Sequence, residues 1–246
     1  MPDPIDEAVE ARQRELIDAA ATLYAAQTVC GSHVREKSKA AFRRLIDAHL
    51  LITGVLATGL LRIDGKVTSF TEAGEERDAL FASYIIGMDL CERAIEEGRY
   101  LQAQALLRQE METVAQLKAV SRGSRKEHRA PNVTVLEASL RRLYAELSAA
   151  AHVSKHHIVR AATEVTVTGE DLPGPTSGTR FSPAFDEDVG RRSFALHLML
   201  TVAFLEEFSI DMDLRHGDDG FTTREVDAVN LALELMRAEG VIELDA

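Results

Sequence analysis

The residue types best able to do chemistry in this chain gather between Leu140 and Arg160, in LRRLYAELSAAAHVSKHHIVR. Tyr144, Ser148, His152 and His156 recur at every fourth position, so a helix projects them from one face, while Leu140, Leu143 and Leu147 line the face beside it. Hydroxyls and imidazoles set against an apolar stripe must find partners or stay wet, because an unpaired buried polar group costs roughly 1–3 kcal/mol. Partners stand one helix earlier. Along Ala103, Leu107, Glu110, Val114 and Leu117 a carboxylate occupies a position where an apolar side chain is expected. Arg108 and Glu112, four apart on the flank of the same helix, can pair with each other. Tyr144, Ser148 and His152 are therefore expected to be mostly buried and to bond toward Arg108, Glu110 or Glu112. The row reads either as a polar clamp between core helices or as a ligand site with imidazoles for proton transfer.

A metal is not expected. His152 and His156 have the spacing by which one helical face offers two imidazoles, and His157 adjoins them, but no HExxH completes a ligand set and Lys155 places a cation between. Asp211, Asp213 and Asp218 resemble a calcium loop only until Arg215 and His216, which stand where a ligand and a glycine are required. Gly59 to Val67 misses the phosphate-loop spacing by one residue and puts Val67 in place of the metal-binding hydroxyl. GxSxG, GxGxxG and SxxK are absent, which removes the commonest hydrolase, dinucleotide and penicillin-recognising signatures, and no cofactor is expected.

Helical periodicity dominates the elements that must position these residues. It predicts helices over 5–29, 34–58, 72–97, 100–121, 133–152, 154–163, 187–209 and 223–239. Two non-helical islands interrupt them: Leu61 to Phe70, which alternates around Asp64-Gly65 and reads as a β-hairpin, and a Gly- and Pro-rich loop near 166–188 that can carry one short strand at its start. Asp211 to Gly220 reads as a further break, and capping boxes are expected at Ser69–Glu72 and Thr222–Glu225. The fold class is all-α, a helical bundle with a short β-hairpin near 61–70 and a long loop near 166–188. An N-terminal region, 1–75, precedes the main bundle, 76–246.

With 246 residues, 46% of them hydrophobic, the chain can bury a full core. Two cysteines, Cys30 and Cys91, are too few for a disulfide framework, and the acidic N-terminus lacks the apolar core of a signal peptide, so a cytoplasmic protein is expected. The apolar run Leu45–Leu61 is broken by Asp47 and His49 and reads as a buried helix, not a membrane span. Helix 187–209 carries Phe194, Leu196, Leu198, Met199, Leu200, Val202, Phe204 and Leu205 around most of its circumference, so it is central or half of an interface, and a homodimer is expected. A net charge of −12 argues against broad nucleic-acid binding. Locally, however, seven basic residues face three acids between Cys30 and Lys66.

Two resemblances follow from these motifs. From about Phe81 to Phe208, the order of Leu106-Leu107-Arg108 to Glu112 (LLR-x3-E) and then Tyr144 to His152 (Y-x2-LS-x3-H) resembles uncharacterised bacterial helical families related to HEPN domains. Active HEPN ribonucleases carry Arg-x4-6-His on a helix, whereas one match here, Arg122 to His128, lies in the broken basic turn SRGSRKEH. The resemblance thus implies a non-catalytic HEPN-like binding or interaction protein, with a divergent ribonuclease using Arg108, His152 and His157 as an alternative; whether the chain is an enzyme stays open. Gly59-Leu60-Leu61-Arg62, the Asp64-Gly65 turn and Thr71-Glu72-Ala73-Gly74 resemble the wing of winged-helix transcription regulators. That resemblance implies DNA contacts by Arg35, Lys39, Arg43, Arg62 and Lys66, though the acidic balance favours a solvated helix face.

Overall fold

A computed structural model describes residues 4–66, 71–125, 129, 131–152, 156–168 and 176–242; side chains at 4–8, 157, 158, 161 and 218 lie outside the description. The chain is an all-α bundle with one short β-hairpin. Helices α1 (Pro4–Ala41), α2 (Arg43–Ile63), α3 (Glu72–Glu96) and α4 (Tyr100–Ser121) come first. After a 3-10 turn at Val133–Val135 follow α5 (Ala138–Ala151), α6 (His156–Thr163), strands β1 (Glu164–Val167) and β2 (Thr176–Thr179), α7 (Glu187–His216) and α8 (Thr223–Ala238). The strands are antiparallel, with Glu164 opposite Thr179 and Val167 opposite Thr176.

One continuous core runs through α2, α3, α4, α7 and α8. Phe42 and Leu45, Phe81 and Tyr84, Leu107 and Met111, and Phe194 and Phe204 all reach it. Tyr84 stacks on Phe204 with ring centroids 4.0 Å apart, and Phe81 meets Phe204 and Phe208 edge-on, the offset geometries that ring quadrupoles favour. Gly98 turns α3 into α4 at φ +71, where the Ala184 carbonyl and Val34 leave no room for a Cβ. Three of the helices carry side-chain N-caps. Thr71 caps α3, Asp186 caps α7, and Thr222 with Glu225 forms the capping box expected for α8.

Helix α7 is the central helix, with buried residues from Gly190 to Met212. Both α2 and α7 are long and apolar enough to cross a membrane, but 61% of the α7 window is buried in the bundle against 33% of the α2 window. The outer face of α2 leaves Leu50 and Leu61 exposed, so α2 is a half-buried amphipathic helix and not a fully buried one.

Four boundaries differ from expectation. α1 does not end near residue 29, because Gly31 is tolerated where α1 lies against Glu97; the chain bends instead at Phe42, whose ring is driven into the core beside Phe185 and Phe194. No strand forms at Leu61–Ile63, where α2 continues and Asp64-Gly65 serves as its C-terminal turn with Gly65 at φ +72. Residues 67–70, the other half of the expected hairpin, lie outside the described residues, as does Ser69 of the expected capping box. The hairpin is instead built from the flanks of the 166–188 loop, whose residues 169–175 lie outside the description. Finally, Asp211 to His216 stays helical because Arg77 and Arg215 neutralise Asp211.

Candidate functional site

The expected pairing of α4 with α5 is present at the surface. Arg108 Nε donates to Glu112 Oε1 at 2.8 Å, and the Tyr144 hydroxyl donates to the same oxygen at 2.7 Å. The guanidinium lies over the Tyr144 ring, 5.6 Å from its centroid, and Nη1 stands 2.7 Å from Nε2 of His152. Guanidinium groups only donate, so in this contact Nε2 accepts. Local sequence accounts for the placement: Arg108 and Glu112 are one turn apart on α4, and His152 is the residue on which α5 ends.

Burial is where expectation fails. His152 is exposed, and Tyr144 and Ser148 are half-buried. The four-residue row also breaks at His152, since α5 stops at Ala151 and His156 opens a separate, short helix where it is exposed. The side chain of His157 lies outside the described residues. Glu110 is buried as expected but takes no part in this cluster, because it projects from the opposite side of α4 toward α7.

There Glu110 enters a second, internal cluster assembled from four helices. Its Oε2 lies 2.9 Å from Nδ1 of His197 on α7. Cys91 on α3 is close enough that one donor atom from each of Cys91, Glu110 and His197 lies within 4.8 Å of the others. The His49 ring on α2 lies 4.8 Å from the His197 ring, tilted 41° to it, and its Nδ1 is 3.5 Å from Glu92 on α3. Burial opposes charge on His197, but the Glu110 carboxylate and its hydrogen bond outweigh it and raise its pKa. Burial, reinforced by Glu110, pushes the Cys91 thiol up. Sequence reasoning missed His49, Cys91 and His197; each is a lone polar residue in an apolar stretch of a different helix, and only the packing brings them together.

The five basic residues of the wing-like region do not form one surface. Arg35 is held by Glu96 at 3.2 Å and Glu97 at 2.9 Å, and Lys39 lies 3.9 Å from Glu36. Arg62 binds Glu225 and the carbonyls of Asp219 and Gly220, while Lys66 binds Asp219. Arg43 is exposed at the opposite end of α2 from Arg62, roughly 28 Å away along the helix axis. Comparison with protein-family models, curated proteins and solved structures finds no match.

Proposed function

We propose that the chain is a non-catalytic, HEPN-like helical binding or interaction protein, cytoplasmic and homodimeric, with the Arg108–Glu112–Tyr144–His152 cluster as its recognition surface. The closed Arg108–His152 pair carries this reading. A histidine acting as base needs its lone pair free, and an arginine stabilising a phosphate needs its charge unspent. Here Arg108 occupies the Nε2 lone pair, and Glu112 neutralises Arg108. The cluster is therefore a rigid polar surface and a poor proton-transfer device. Free Cys30 and Cys91 accord with a reducing compartment, and local pairing of four of the five basic residues accords with a partner other than nucleic acid.

The support for a homodimer lies on α1 and not on α7. Leu16, Ile17, Leu23 and Tyr24 are all more than half exposed on a helix whose N-terminal part touches little else. The test of the non-catalytic reading is incubation of labelled single-stranded RNA with the full chain and with Arg108→Ala and His152→Ala. No cleavage by any of the three is expected. Cleavage by the unaltered chain, lost in both variants, would establish the ribonuclease instead.

A further inference from the structure

Six buried side-chain polar atoms among the described residues have no hydrogen-bond partner, and four of them belong to the internal cluster: Nδ1 and Nε2 of His49, Oε1 of Glu110 and Nε2 of His197. Such atoms are rare in native interiors, and two of them belong to Glu110 and His197, which with Cys91 bring donor atoms within 4.8 Å of one another. His49 is 2% exposed, His197 and Cys91 are at 0% and Glu110 is at 4%, so bulk solvent does not satisfy them.

We propose that Cys91, Glu110 and His197 bind a single divalent transition-metal ion of the zinc class; the adjoining His49 ring, 4.8 Å from that of His197, must rotate to supply a fourth ligand. The donor set itself selects the ion. A thiolate, one or two imidazoles and a carboxylate match the borderline softness of zinc, whereas an all-oxygen site would suit calcium or magnesium. Charge also balances. A Cys91 thiolate and a Glu110 carboxylate together carry two negative charges, which a divalent cation cancels in a setting where uncompensated charge is costly. On binding, the Cys91 Sγ–H bond is broken, its proton leaves to solvent and the sulfur lone pair forms the bond to the ion; no redox change is involved.

Geometry permits this with small adjustments. Ligand distances of about 2.0–2.3 Å in a tetrahedral site place donors roughly 3.3–3.8 Å apart, and the present separations within 4.8 Å reach that by rotamer shifts of about 1 Å. Glu92, 3.5 Å from His49 Nδ1, is positioned to orient the His49 ring from outside the ligand set. Because α3, α4 and α7 each contribute one ligand, the ion would tie three core helices at one point. This inference is independent of the surface cluster and of its proposed role.

The experiment is Co2+ titration of chelator-stripped full-length protein, added during refolding so that the buried site is reachable. One equivalent is expected to give tetrahedral visible bands and a thiolate-to-cobalt charge-transfer band, and Zn2+ is expected to displace Co2+ and to raise the melting temperature. Cys91→Ser should abolish the charge-transfer band while Cys30→Ser keeps it, and His197→Gln should weaken binding at least tenfold. His49→Gln should retain the band with reduced affinity. Should a variant fail to fold by circular dichroism, Zn2+ protection of the Cys91 thiol in the unaltered protein, measured against a thiol reagent under partial denaturation, decides in its place. Absence of cobalt bands together with an unmoved melting temperature in Zn2+, or bands that follow Cys30, would overturn the site and leave a buried, hydrated polar cluster.

Discussion

The Glu110 carboxylate on α4 and the His197 imidazole on α7 meet 2.9 Å apart at the centre of the bundle, and one oxygen of that carboxylate has no hydrogen-bond partner. Removing either residue strands the other. His197→Ala should therefore destabilise the metal-free chain by about 3–5 kcal/mol, the usual cost of breaking a buried pair. Replacing both together with apolar residues, as in Glu110→Leu with His197→Phe, should recover most of that loss. Urea unfolding of the three chains checks it, and a single variant as stable as the unaltered protein would show that the pair is dispensable.

A second buried charge acts where α3, α4 and α7 converge. Arg77, 6% exposed, donates Nε to Asp211 at 2.7 Å and Nη2 to the Glu207 carbonyl at 2.8 Å, and Ser121 donates to the Glu207 carboxylate at 2.7 Å. Arg77→Met keeps much of the aliphatic stem but leaves buried Glu207 without its cation and Asp211 with Arg215 alone, and should cost about 3–5 kcal/mol. Arg77→Lys should cost nearly as much, because an ammonium cannot reproduce the forked donors. Equal stability of the Lys variant and the unaltered chain in thermal melts would contradict this account.

Glu225 joins α8 to α2 and sets an acid limit. Partial burial works against its charge, but hydrogen bonds from Thr58, Thr222 and Arg62 outweigh it and hold its carboxyl at about 2, against an ordinary value of 4.5. The folded value lies below the unfolded one, so the contribution is complete above about pH 4.5 and is lost as pH falls toward 2. Unfolding midpoints should drop more steeply across that window in the unaltered protein than in Glu225→Gln. Parallel curves would remove Glu225 from the acid response.

At the surface cluster the expected effects are small. His152 is exposed, so His152→Ala should cost less than about 1 kcal/mol. Tyr144→Phe, which removes a 2.7 Å bond to Glu112, should cost about 1 kcal/mol. A larger loss on removing His152 would restore the buried clamp that the sequence pattern suggested.

That contrast marks how far local pattern reaches. Periodicity located the helices and the α8 capping box, because both depend on residues within one or two turns of each other. The Arg108–Glu112 pair was legible for the same reason, and the oddity of Glu110 was visible as a carboxylate in an apolar row. Its partner was not, since His197 lies 87 residues away and the choice between Tyr144 and His197 is made by which side of α4 faces α7. The Asp64-Gly65 pair misled because a glycine with positive φ closes a helix as readily as a hairpin, and Arg62 on the preceding turn is tied to Glu225 of α8. The Asp-rich end of α7 misled similarly, its charge being cancelled by Arg77 from a distant helix.

The remaining prediction concerns α1. Its residues from about 9 to 30 are nearly all exposed, and packing against α3 begins near Gly31. Most helical stability in proteins comes from packing an apolar face, so the arm needs a covering surface. Val9, Leu16 and Leu23 recur seven apart, and Ile17 and Tyr24 widen the stripe, which is the pattern by which a helix pairs with a copy of itself. Light scattering at micromolar concentration should then give twice the 27.0 kDa mass of the chain. Deleting residues 1–30, which leaves the core untouched, should give a folded monomer, and Leu16→Glu with Leu23→Glu should do the same without shortening the chain. A monomeric full-length protein, or a deletion variant that stays dimeric, would show that α1 is not the dimer contact.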